Sequence, residues 1–424
     1  MQFEPIKLNY QYGLHFIQKN IPILLFCEDS EWNITEVKKV FNVHHLPPHL
    51  FSDGMPSAQN EYALCQKLED FFNNRIIPYS RKSLKEMLSE LEITSAEELA
   101  KRSFYLSLSD QYWFCPKEDM GKIWWEDINF FTKEYDSAIG LRLINNSKSL
   151  NKNSSSVSPD STTGGELPKR WVRENNINYL EKAGTGTEQK EPLNEVLASE
   201  ICRRLKISHI PYTLEIRDEN YYCRCADIAN EDRHAFNISI LRNSDTLEWI
   251  DVAPVYDSGK SMFLNKLDFE IKMISSYRLP AKPFMETKIK QFQSLPMEKI
   301  ASEIDFSHLK DIAKWYTAFL APLRRLSSEK KSALVTALSE RIAEAEHLLK
   351  LKYEETRSFE ASEKIANTTL VYHALCRNPE LTKEGLANVT GLSRATVTRM
   401  LQKLVSENKI CRIGANKNGK WEII

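Results

Sequence analysis

The spacing of apolar residues predicts a mixed region of helix and strand in the middle of the chain. Apolar side chains recur at helical spacing along residues 191–205, which is typical of an amphipathic helix. Shorter apolar segments that end at turn-forming residues predict β-strands around this helix. The predicted strands are 171–172, 178–181, 212–216, 221–225, 238–241 and 249–252. Turns at 175–176 and 217–220 join the first four strands into two pairs.

The regions before and after this one have different patterns. Residues 1–135 mix short apolar runs with clustered aromatic side chains, and helices are predicted at 82–91 and 95–101. Aromatic clusters mostly fill cores, so we expect a packed N-terminal accessory domain. Residues 265–355 are predicted to be mostly helical, with one long amphipathic helix at 329–351.

A polar segment separates the N-terminal region from the strands. Residues 146–165 are rich in Ser, Asn, Thr and Gly, which bury little apolar surface, so 136–165 is predicted to be a flexible linker. Gly164 and Gly165 follow Thr163 at its end and have a second interpretation. Backbone N–H groups of a glycine-rich loop bind phosphate, so these glycines are also candidates for a loop over phosphates.

The chain ends with three predicted helices and a hairpin. The first helix is predicted at 362–376, the second follows residue 382 and ends near 389, the third is predicted at 394–407, and the hairpin strands at 410–413 and 421–424. Thr382 and Ser393 are predicted helix caps, and Gly391 is the turn between the second and third helices. An Asn-Gly dipeptide joins the two strands. This order is typical of a winged-helix domain, which is expected at residues 361–424.

Composition and charge fit a soluble protein with one basic end. Hydrophobic residues make up 42% and charged residues 27%, and the eight cysteines form no C-x-x-C pairs. No secretory signal precedes them, so we expect free thiols in a reducing cytoplasm. The apolar run at 21–26 is too short to cross a bilayer, so no membrane partner is expected. The net charge of the chain is −1, but residues 361–424 contain ten Lys and Arg and only five Asp and Glu. This local positive charge favours DNA as a partner.

The third helix of a winged helix enters the major groove of DNA, and the hairpin contacts the backbone. Arg and Gln read base edges, and Ser, Thr and Lys suit phosphates. The predicted DNA-contacting residues are Ser393, Arg394, Thr396, Arg399, Gln402, Lys417 and Lys420. The residues predicted to pack inward are Leu392, Val397, Met400, Leu401 and Leu404. A winged helix used for protein contacts or dimerisation is the alternative.

Acidic and amide residues in the middle region have a spacing that suits phosphoryl transfer. Asp232 and Asn237 are separated by four residues, as are the catalytic Asp and metal-binding Asn of protein kinases. This spacing alone is expected about once by chance in a chain of this length. Asp257 precedes a Ser-Gly turn and can share a Mg²⁺ ion with Asn237. Lys182 ends a strand before the helix that carries Glu195, an arrangement typical of a phosphate-binding lysine and its ion-pair partner.

Four segments resemble HipA-like serine/threonine protein kinases, and the likeness covers about residues 160–353. The segments are Thr163-Gly-Gly-Glu-Leu-Pro-Lys169, Tyr179-Leu-Glu-Lys182, Asn230-Glu-Asp-Arg-His-Ala-Phe-Asn237 and Pro254-Val-Tyr-Asp257-Ser-Gly. The resemblance implies an α+β fold, with a two-lobed kinase-like domain at 166–355 whose C-lobe is mostly helical. It also implies ATP and Mg²⁺ as cofactors and a toxin–antitoxin role.

By motif, the resemblance assigns a role to each candidate residue. Asp232 is implied as the catalytic base, Asn237 and Asp257 as Mg²⁺ ligands, and Lys182 as the ATP lysine paired with Glu195. Gly164 and Gly165 are implied to lie over the phosphates. Family members often autophosphorylate this loop, and the candidates here are Ser158, Ser161, Thr162 and Thr163.

One departure from the kinase pattern keeps two hypotheses open. Kinases place helices between the hinge strand and the catalytic loop, but six residues separate Cys225 from Asp232. The first hypothesis is an ATP- and Mg²⁺-dependent serine/threonine kinase fused to a DNA-binding winged helix. The second is a DNA-binding transcriptional regulator with a degenerate, non-catalytic kinase-like domain. A small-molecule phosphotransferase is a third hypothesis. The sequence does not identify the protein substrate, and a homodimer is possible.

Overall fold

A computed structural model of the chain describes residues 14–29, 33–47, 50–52, 55–56, 61–81, 83–145, 150–227, 232–233, 240–243, 246–273, 303–414 and 420–424. The chain divides into two compact units. The first comprises Met1–Met273 and Ser307–Ser339, and the second comprises Ile274–Phe306 and Glu340–Ile424. Both contain helices and strands, as the sequence predicts.

The N-terminal part of the first unit is built on an antiparallel sheet. Its strands are β1 Leu14–Gln18, β2 Ile21–Glu28, β3 Ile34–Val40, β4 Phe51–Ser52, β5 Met55–Pro56 and β6 Tyr112–Pro116. Four of them pair in the order β3-β2-β1-β6, and β4 pairs with β5. The helices of this part are α1 Glu61–Asn73, α2 Leu84–Glu90, α3 Ala96–Arg102, α4 Trp125–Ile128 and α5 Ala138–Asn145. The predicted helices at 82–91 and 95–101 are therefore confirmed as α2 and α3.

The N-terminal part shares its core with the strands that follow. Trp171, beyond the predicted accessory domain, is buried in one cluster with Phe104, Trp113 and Phe130. Leu180 packs against the same cluster. Residues 1–135 are packed, as the aromatic content predicts, but they do not form a separate unit, because their apolar surface is completed by later strands.

Part of the predicted flexible linker is packed, because residues 158–162 are buried. Ser158, Asp160 and Ser161 are fully buried, and Pro159–Thr162 forms a short 3₁₀ turn. The side-chain oxygen of Asp160 accepts a hydrogen bond from the Trp171 backbone N–H at 2.8 Å. Polar residues are buried here because each finds a backbone partner, which composition alone does not reveal.

A second antiparallel sheet occupies the middle of the first unit. Its strands are β7 Lys169–Glu174, β8 Ile177–Ala183, β9 Thr213–Arg217 and β10 Asn220–Ala226, and helix α6 spans Lys190–Arg204. The strand order is β7-β8-β10-β9, so β8 and β10 are interior strands. The two predicted hairpins and the predicted helix are confirmed, and Asn175 and Asn176 adopt the left-handed conformation of the first turn.

A small three-stranded sheet follows in the order β11-β12-β13. Its strands are β11 Asp232–Arg233, β12 Ile240–Arg242 and β13 Trp249–Val252. Arg242 is buried, and its guanidinium donates to the carbonyl oxygens of His44 at 2.9 Å and Leu247 at 3.0 Å. The sheet is thereby attached to the N-terminal part of the same unit.

Helices complete the first unit and lead into the second. They are α7 Asp268–Met273, α8 Ile312–Leu320 and α9 Ser328–Arg377. Trp315 and Phe319 of α8 pack against the buried cluster of Val196, Tyr212 and Cys223. The described part of the region 265–355 is therefore mostly helical, as predicted.

The second unit ends in a three-helix arrangement with a hairpin. Helix α9 is followed by α10 Lys383–Thr390, α11 Arg394–Ser406, and the paired strands β14 Ile410–Ile413 and β15 Lys420–Ile423. The predicted helices at 329–351 and 362–376 are not separate, because α9 is one helix of 50 residues. Residues 352–361 hold good helix formers and no Gly or Pro, so nothing in the sequence interrupts it.

Candidate functional site

Lys182 lies at the centre of a buried polar cluster in the first unit. It belongs to the interior strand β8 and is 5% exposed. Its ammonium donates hydrogen bonds to Glu195 Oε1 at 2.7 Å, Asp257 Oδ1 at 2.7 Å and Tyr212 Oη at 3.2 Å. The structure thus brings together three of the residues that the sequence proposes for a nucleotide site.

The N-terminal half of α6 fixes the chain beside this cluster. The second carboxylate oxygen of Glu195 accepts a hydrogen bond from the Ser258 backbone N–H at 2.7 Å. Asn194 Nδ2 donates to the Gly259 carbonyl oxygen at 2.9 Å, and Glu191 accepts from the backbone just after β8. Sequence reasoning missed Asn194 and Glu191. Their spacing with Glu195 along one helix face was the available signal.

Opposite charges set the protonation states within the cluster. Burial alone would lower the pKa of Lys182, but its acidic neighbours raise it well above the usual value. Burial raises the pKa of Glu195 in spite of Lys182 beside it. Burial would also raise the pKa of Asp257, but Lys182 and Lys169 outweigh it and lower that pKa. Lys182 is therefore a cation and Asp257 an anion at neutral pH.

Asp257 lies at the solvent-exposed edge of the buried cluster. Its side chain is 45% exposed, whereas that of Glu195 is 1% exposed. Its φ of +58° lies in the left-handed region, where Asp is tolerated better than most residues.

A cavity of about 180 Å³ opens beside Lys182 and Asp257. Its walls come from β7, β8, the end of β10 and the N-terminal part of the unit. They include Leu108, Lys169, Trp171, Leu180, Tyr212 and Ala226. Typical ligand pockets measure about 300–1,000 Å³, so this cavity has room for a group the size of a heterocycle but not for a whole nucleotide.

Gly164 and Gly165 lie at the end of the packed segment, where each needs to be glycine. A side chain at Gly164 would come within 2.5 Å of the Asn74 carbonyl oxygen, and Gly165 has a φ of +87°. Arg81 Nη2 donates to the carbonyl oxygens of Thr163 at 2.7 Å and Gly164 at 3.1 Å, and also to that of Gly165. Sequence reasoning missed Arg81, because no local pattern links it to residues more than 80 positions away.

The candidate phosphorylation residues in this segment are engaged in hydrogen bonds. Ser158 donates to the Asp136 carbonyl oxygen at 2.9 Å, and Ser161 donates to that of Ser156 at 2.7 Å. Thr163 Oγ1 donates to the Pro159 carbonyl oxygen at 2.6 Å. Phosphorylation of Ser158 or Ser161, which are fully buried, would require this segment to open first.

Asp160 is a fully buried carboxyl group of this segment, and its pKa is raised. Burial raises its pKa to about 7, against the bonds from the Trp171 backbone and the charges of Arg170 and Arg81. Its Oδ2 is buried without a hydrogen-bond partner. The carboxyl group therefore binds a proton more tightly in the folded chain than in the unfolded chain, where its pKa is near 3.8.

We expect Asp160→Asn to change the pH dependence of stability. Asp160 contributes stability that is full below about pH 3.8 and is lost as pH rises through 7, because the folded chain binds the extra proton. Relative to Asp160→Asn, the wild-type free energy of unfolding should fall by up to about 2 kcal/mol between pH 5 and 7. Urea unfolding of both proteins at the two pH values measures this difference. If the difference in unfolding free energy between the two proteins is the same at both pH values, the pKa of Asp160 is not raised in the folded chain.

The predicted catalytic loop is only partly described. Asp232 lies in β11, where its backbone pairs with Arg242, and not in an open loop at that position. Asn237 lies outside the described residues. The structure brings Lys182, Glu195 and Asp257 together. The roles of Asp232 and Asn237 stay predictions.

The second unit shows the predicted caps and core of a winged helix. The Thr382 and Ser393 side chains accept hydrogen bonds from the backbone N–H groups of Gly385 and Thr396, and Gly391 has a φ of +70°. The four apolar residues of α11 predicted to pack inward are buried: Val397, Met400, Leu401 and Leu404. Leu392 packs against the same core.

The polar residues of α11 lie on its other face. Ser393, Arg394, Arg399 and Gln402 are exposed, and Thr396 is half-buried with its hydroxyl 2.9 Å from that of Ser393. On the hairpin, Lys420 is exposed. Lys417 and the Asn-Gly turn lie outside the described residues. Polar exposed residues on one helix face are the arrangement that groove binding requires.

Comparison with known proteins identifies the C-terminal module. A family profile for winged helix-turn-helix DNA-binding domains matches residues 368–410. The chain therefore carries a winged helix-turn-helix DNA-binding module, as the sequence pattern predicts. None of the curated proteins matches the chain in sequence.

Among solved structures, the chain shows a weak similarity to a proinflammatory kinase of Helicobacter pylori, CtkA. The identity is 13%, the match covers 44% of this chain and 95% of the other, and the TM-score is 0.35. Within the described ranges, no helix is both long and apolar enough to cross a membrane. The same residues contain no group of three or more His, Cys, Asp or Glu that could hold a metal ion.

Proposed function

We propose that the first unit binds ATP with Mg²⁺ and transfers its terminal phosphoryl group to a serine or threonine hydroxyl. In this proposal the winged helix brings that kinase activity to DNA. The observation that supports it best is the meeting of Lys182, Glu195 and Asp257 at the wall of one cavity. Phosphoryl transfer needs a cation on the phosphates and an acidic metal ligand, and these residues supply both. The four segments that resemble HipA-like kinases lead to the same assignment.

The cavity suits the base of a nucleotide. Trp171, Leu180 and Tyr212 give it apolar and aromatic walls, which favour a flat heterocycle. The sugar and phosphates would extend out of it toward Lys182 and Asp257. Lys182 is held in place by Glu195, so its ammonium is positioned before the nucleotide arrives.

Asp257 is the residue best placed to hold Mg²⁺. Its carboxylate is anionic and partly exposed, and Mg²⁺ is commonly bound by one or two carboxylates together with phosphates and water. When bound, the ion supplies charge neutralisation on the phosphates. Nucleotide phosphates would then compete with Asp257 for the ammonium of Lys182. In the proposal, Asn237 is a further ligand and Asp232 accepts the proton of the attacking hydroxyl.

A nucleotide-sensing regulator without phosphoryl transfer is the second candidate. Two observations favour it: six residues connect Cys225 to Asp232, and Asp232 pairs in a strand. A catalytic base must reach the attacking hydroxyl within hydrogen-bonding distance, and a strand position restricts this. In that case the same cavity would bind ATP, and ATP binding would regulate the binding of the winged helix to DNA.

One experiment separates the two candidates. We expect ATP with Mg²⁺ to raise the melting temperature of the wild-type chain and labelled phosphate to be transferred to the chain or to an added protein. Asp232→Asn should keep the stabilisation by ATP and lose transfer by about 100-fold or more, because it removes general-base catalysis. Asp251→Asn is the matched control, since Asp251 is an exposed residue of β13 in the same small sheet.

The possible results discriminate clearly. Transfer that survives in Asp232→Asn would remove this residue from the mechanism. If ATP stabilises the wild type but no phosphate is transferred, the kinase proposal fails and the nucleotide-sensing regulator is supported. Absence of any stabilisation by ATP would overturn both.

A further inference from the structure

Arg81 connects the N-terminal part of the first unit to the glycine-rich segment 163–165. It precedes α2 in the chain, is 2% exposed, and places one nitrogen, Nη2, among three successive carbonyl oxygens. The other two guanidinium nitrogens, Nε and Nη1, are buried without a hydrogen-bond partner. The contacts to the segment are therefore the hydrogen bonds that hold this buried cation.

The orientation of the three carbonyl groups affects how well an anion can bind beside them. Their oxygens carry partial negative charge, which would repel the phosphates of a nucleotide. In the structure these oxygens are directed at a guanidinium instead. Burial lowers the pKa of Arg81 to about 10, which leaves it charged at physiological pH. A segment fixed in this way is ordered before a ligand arrives, which reduces the entropy cost of binding.

A close backbone contact holds the same segment. Gly164 passes so near the Asn74 carbonyl oxygen that no side chain fits between them. Leu108 of the N-terminal part also lines the cavity. The segment lies next to the cavity, because Thr163 Oγ1 accepts a hydrogen bond at 3.1 Å from Nε1 of Trp171, which lines the cavity. The N-terminal part thus contributes both a wall of the cavity and the support of the segment beside it.

We propose that Arg81 is a positioning residue of the nucleotide site, which holds the segment 163–165 with its carbonyl oxygens turned away from the phosphates. This inference rests on the proposed nucleotide binding, which it deepens. It makes the N-terminal part a component of the site and not an accessory to it.

The test compares Arg81→Gln and Arg81→Lys in the full chain with the matched control Arg75→Gln. Arg75 is also a buried arginine of the N-terminal part, and it donates to the carbonyl oxygens of Tyr105 at 2.9 Å and Tyr112 at 3.2 Å. It does not contact the segment 163–165 through any described hydrogen bond. All four proteins are measured by hydrogen–deuterium exchange without nucleotide and by calorimetric titration with ATP and Mg²⁺.

We expect amide exchange in residues 163–171 to rise about tenfold or more in Arg81→Gln, because charge-assisted hydrogen bonds are lost. Arg81→Lys should recover part of the protection, since it keeps the cation. Arg75→Gln should leave this segment unchanged even if it lowers overall stability. The affinity for ATP should fall about tenfold in Arg81→Gln and less in Arg81→Lys.

The outcomes separate this inference from the proposed function. Unchanged exchange in Arg81→Gln, or an equal rise in Arg75→Gln, would overturn the positioning role. Tighter ATP binding in Arg81→Gln would overturn it too, because the contact would then be inhibitory. If the wild type does not bind ATP, the proposed function fails, and exchange in the three variants still decides whether Arg81 orders the segment. If Arg81→Gln does not fold, Arg81→Lys against wild type supplies the same comparison.

Discussion

Lys182→Met should destabilise the first unit by about 3–5 kcal/mol at neutral pH and abolish ATP binding. Lys182 and Glu195 are 6% and 1% exposed in their side chains, so removing the ammonium leaves a buried carboxylate without its partner. Asp257 loses its partner as well but is near solvent. Urea unfolding and calorimetric titration with ATP and Mg²⁺ measure the two effects. The destabilisation should be smaller in mild acid, because Glu195 can then take up a proton.

The double variant Lys182→Met/Glu195→Gln provides the control. Removing both charges avoids the uncompensated carboxylate, so much of the stability should return while ATP binding stays absent. If Lys182→Met costs the same stability with and without Glu195, the buried ion pair is not the source of the effect. If Lys182→Met binds ATP normally, Lys182 is not the phosphate-binding lysine.

The second large effect is expected in the winged helix. Arg394→Ala together with Arg399→Ala should weaken DNA binding by on the order of 100-fold at physiological salt and reduce the salt dependence. Both arginines are exposed on α11, so the folded structure should not change. Fluorescence anisotropy with a labelled duplex over a range of salt concentrations measures both quantities.

Arg377→Ala is the matched control for this prediction. Arg377 is an exposed arginine of the same unit, at the end of α9 and outside α11. It should change DNA affinity far less than the pair in α11. Equal DNA affinity of wild type and the Arg394/Arg399 variant would indicate that α11 is not the DNA-binding surface and would favour a winged helix used for protein contacts.

The elements with local signals were predictable from the sequence. The hairpins of the central sheet, helix α6 and the caps at Thr382 and Ser393 follow from periodicity, turn residues and cap residues. The meeting of Lys182 and Glu195 was predictable as well, because a strand followed by a helix places them opposite each other. These features depend on residues close in sequence.

The features that were not predictable depend on distant contacts. The polar segment before β7 is packed because Asp160 and Thr162 bond to backbone groups of other elements, which its composition conceals. Arg81 meets Gly164 across 83 positions for the same reason. The end of the long helix was wrongly predicted because residues 352–361 favour a helix as strongly as their neighbours do. Domain boundaries need not coincide with helix ends.

The burial of Trp171 has a consequence for the order in which the protein folds during synthesis. The N-terminal sheet can close once β6 has left the ribosome, because β6 pairs with β1. Its second apolar cluster, around Trp113, lacks Trp171 at that time and stays partly uncovered. Some fifty further residues must be translated before β7 covers it. During that interval the nascent chain presents an apolar surface of the kind that chaperones bind.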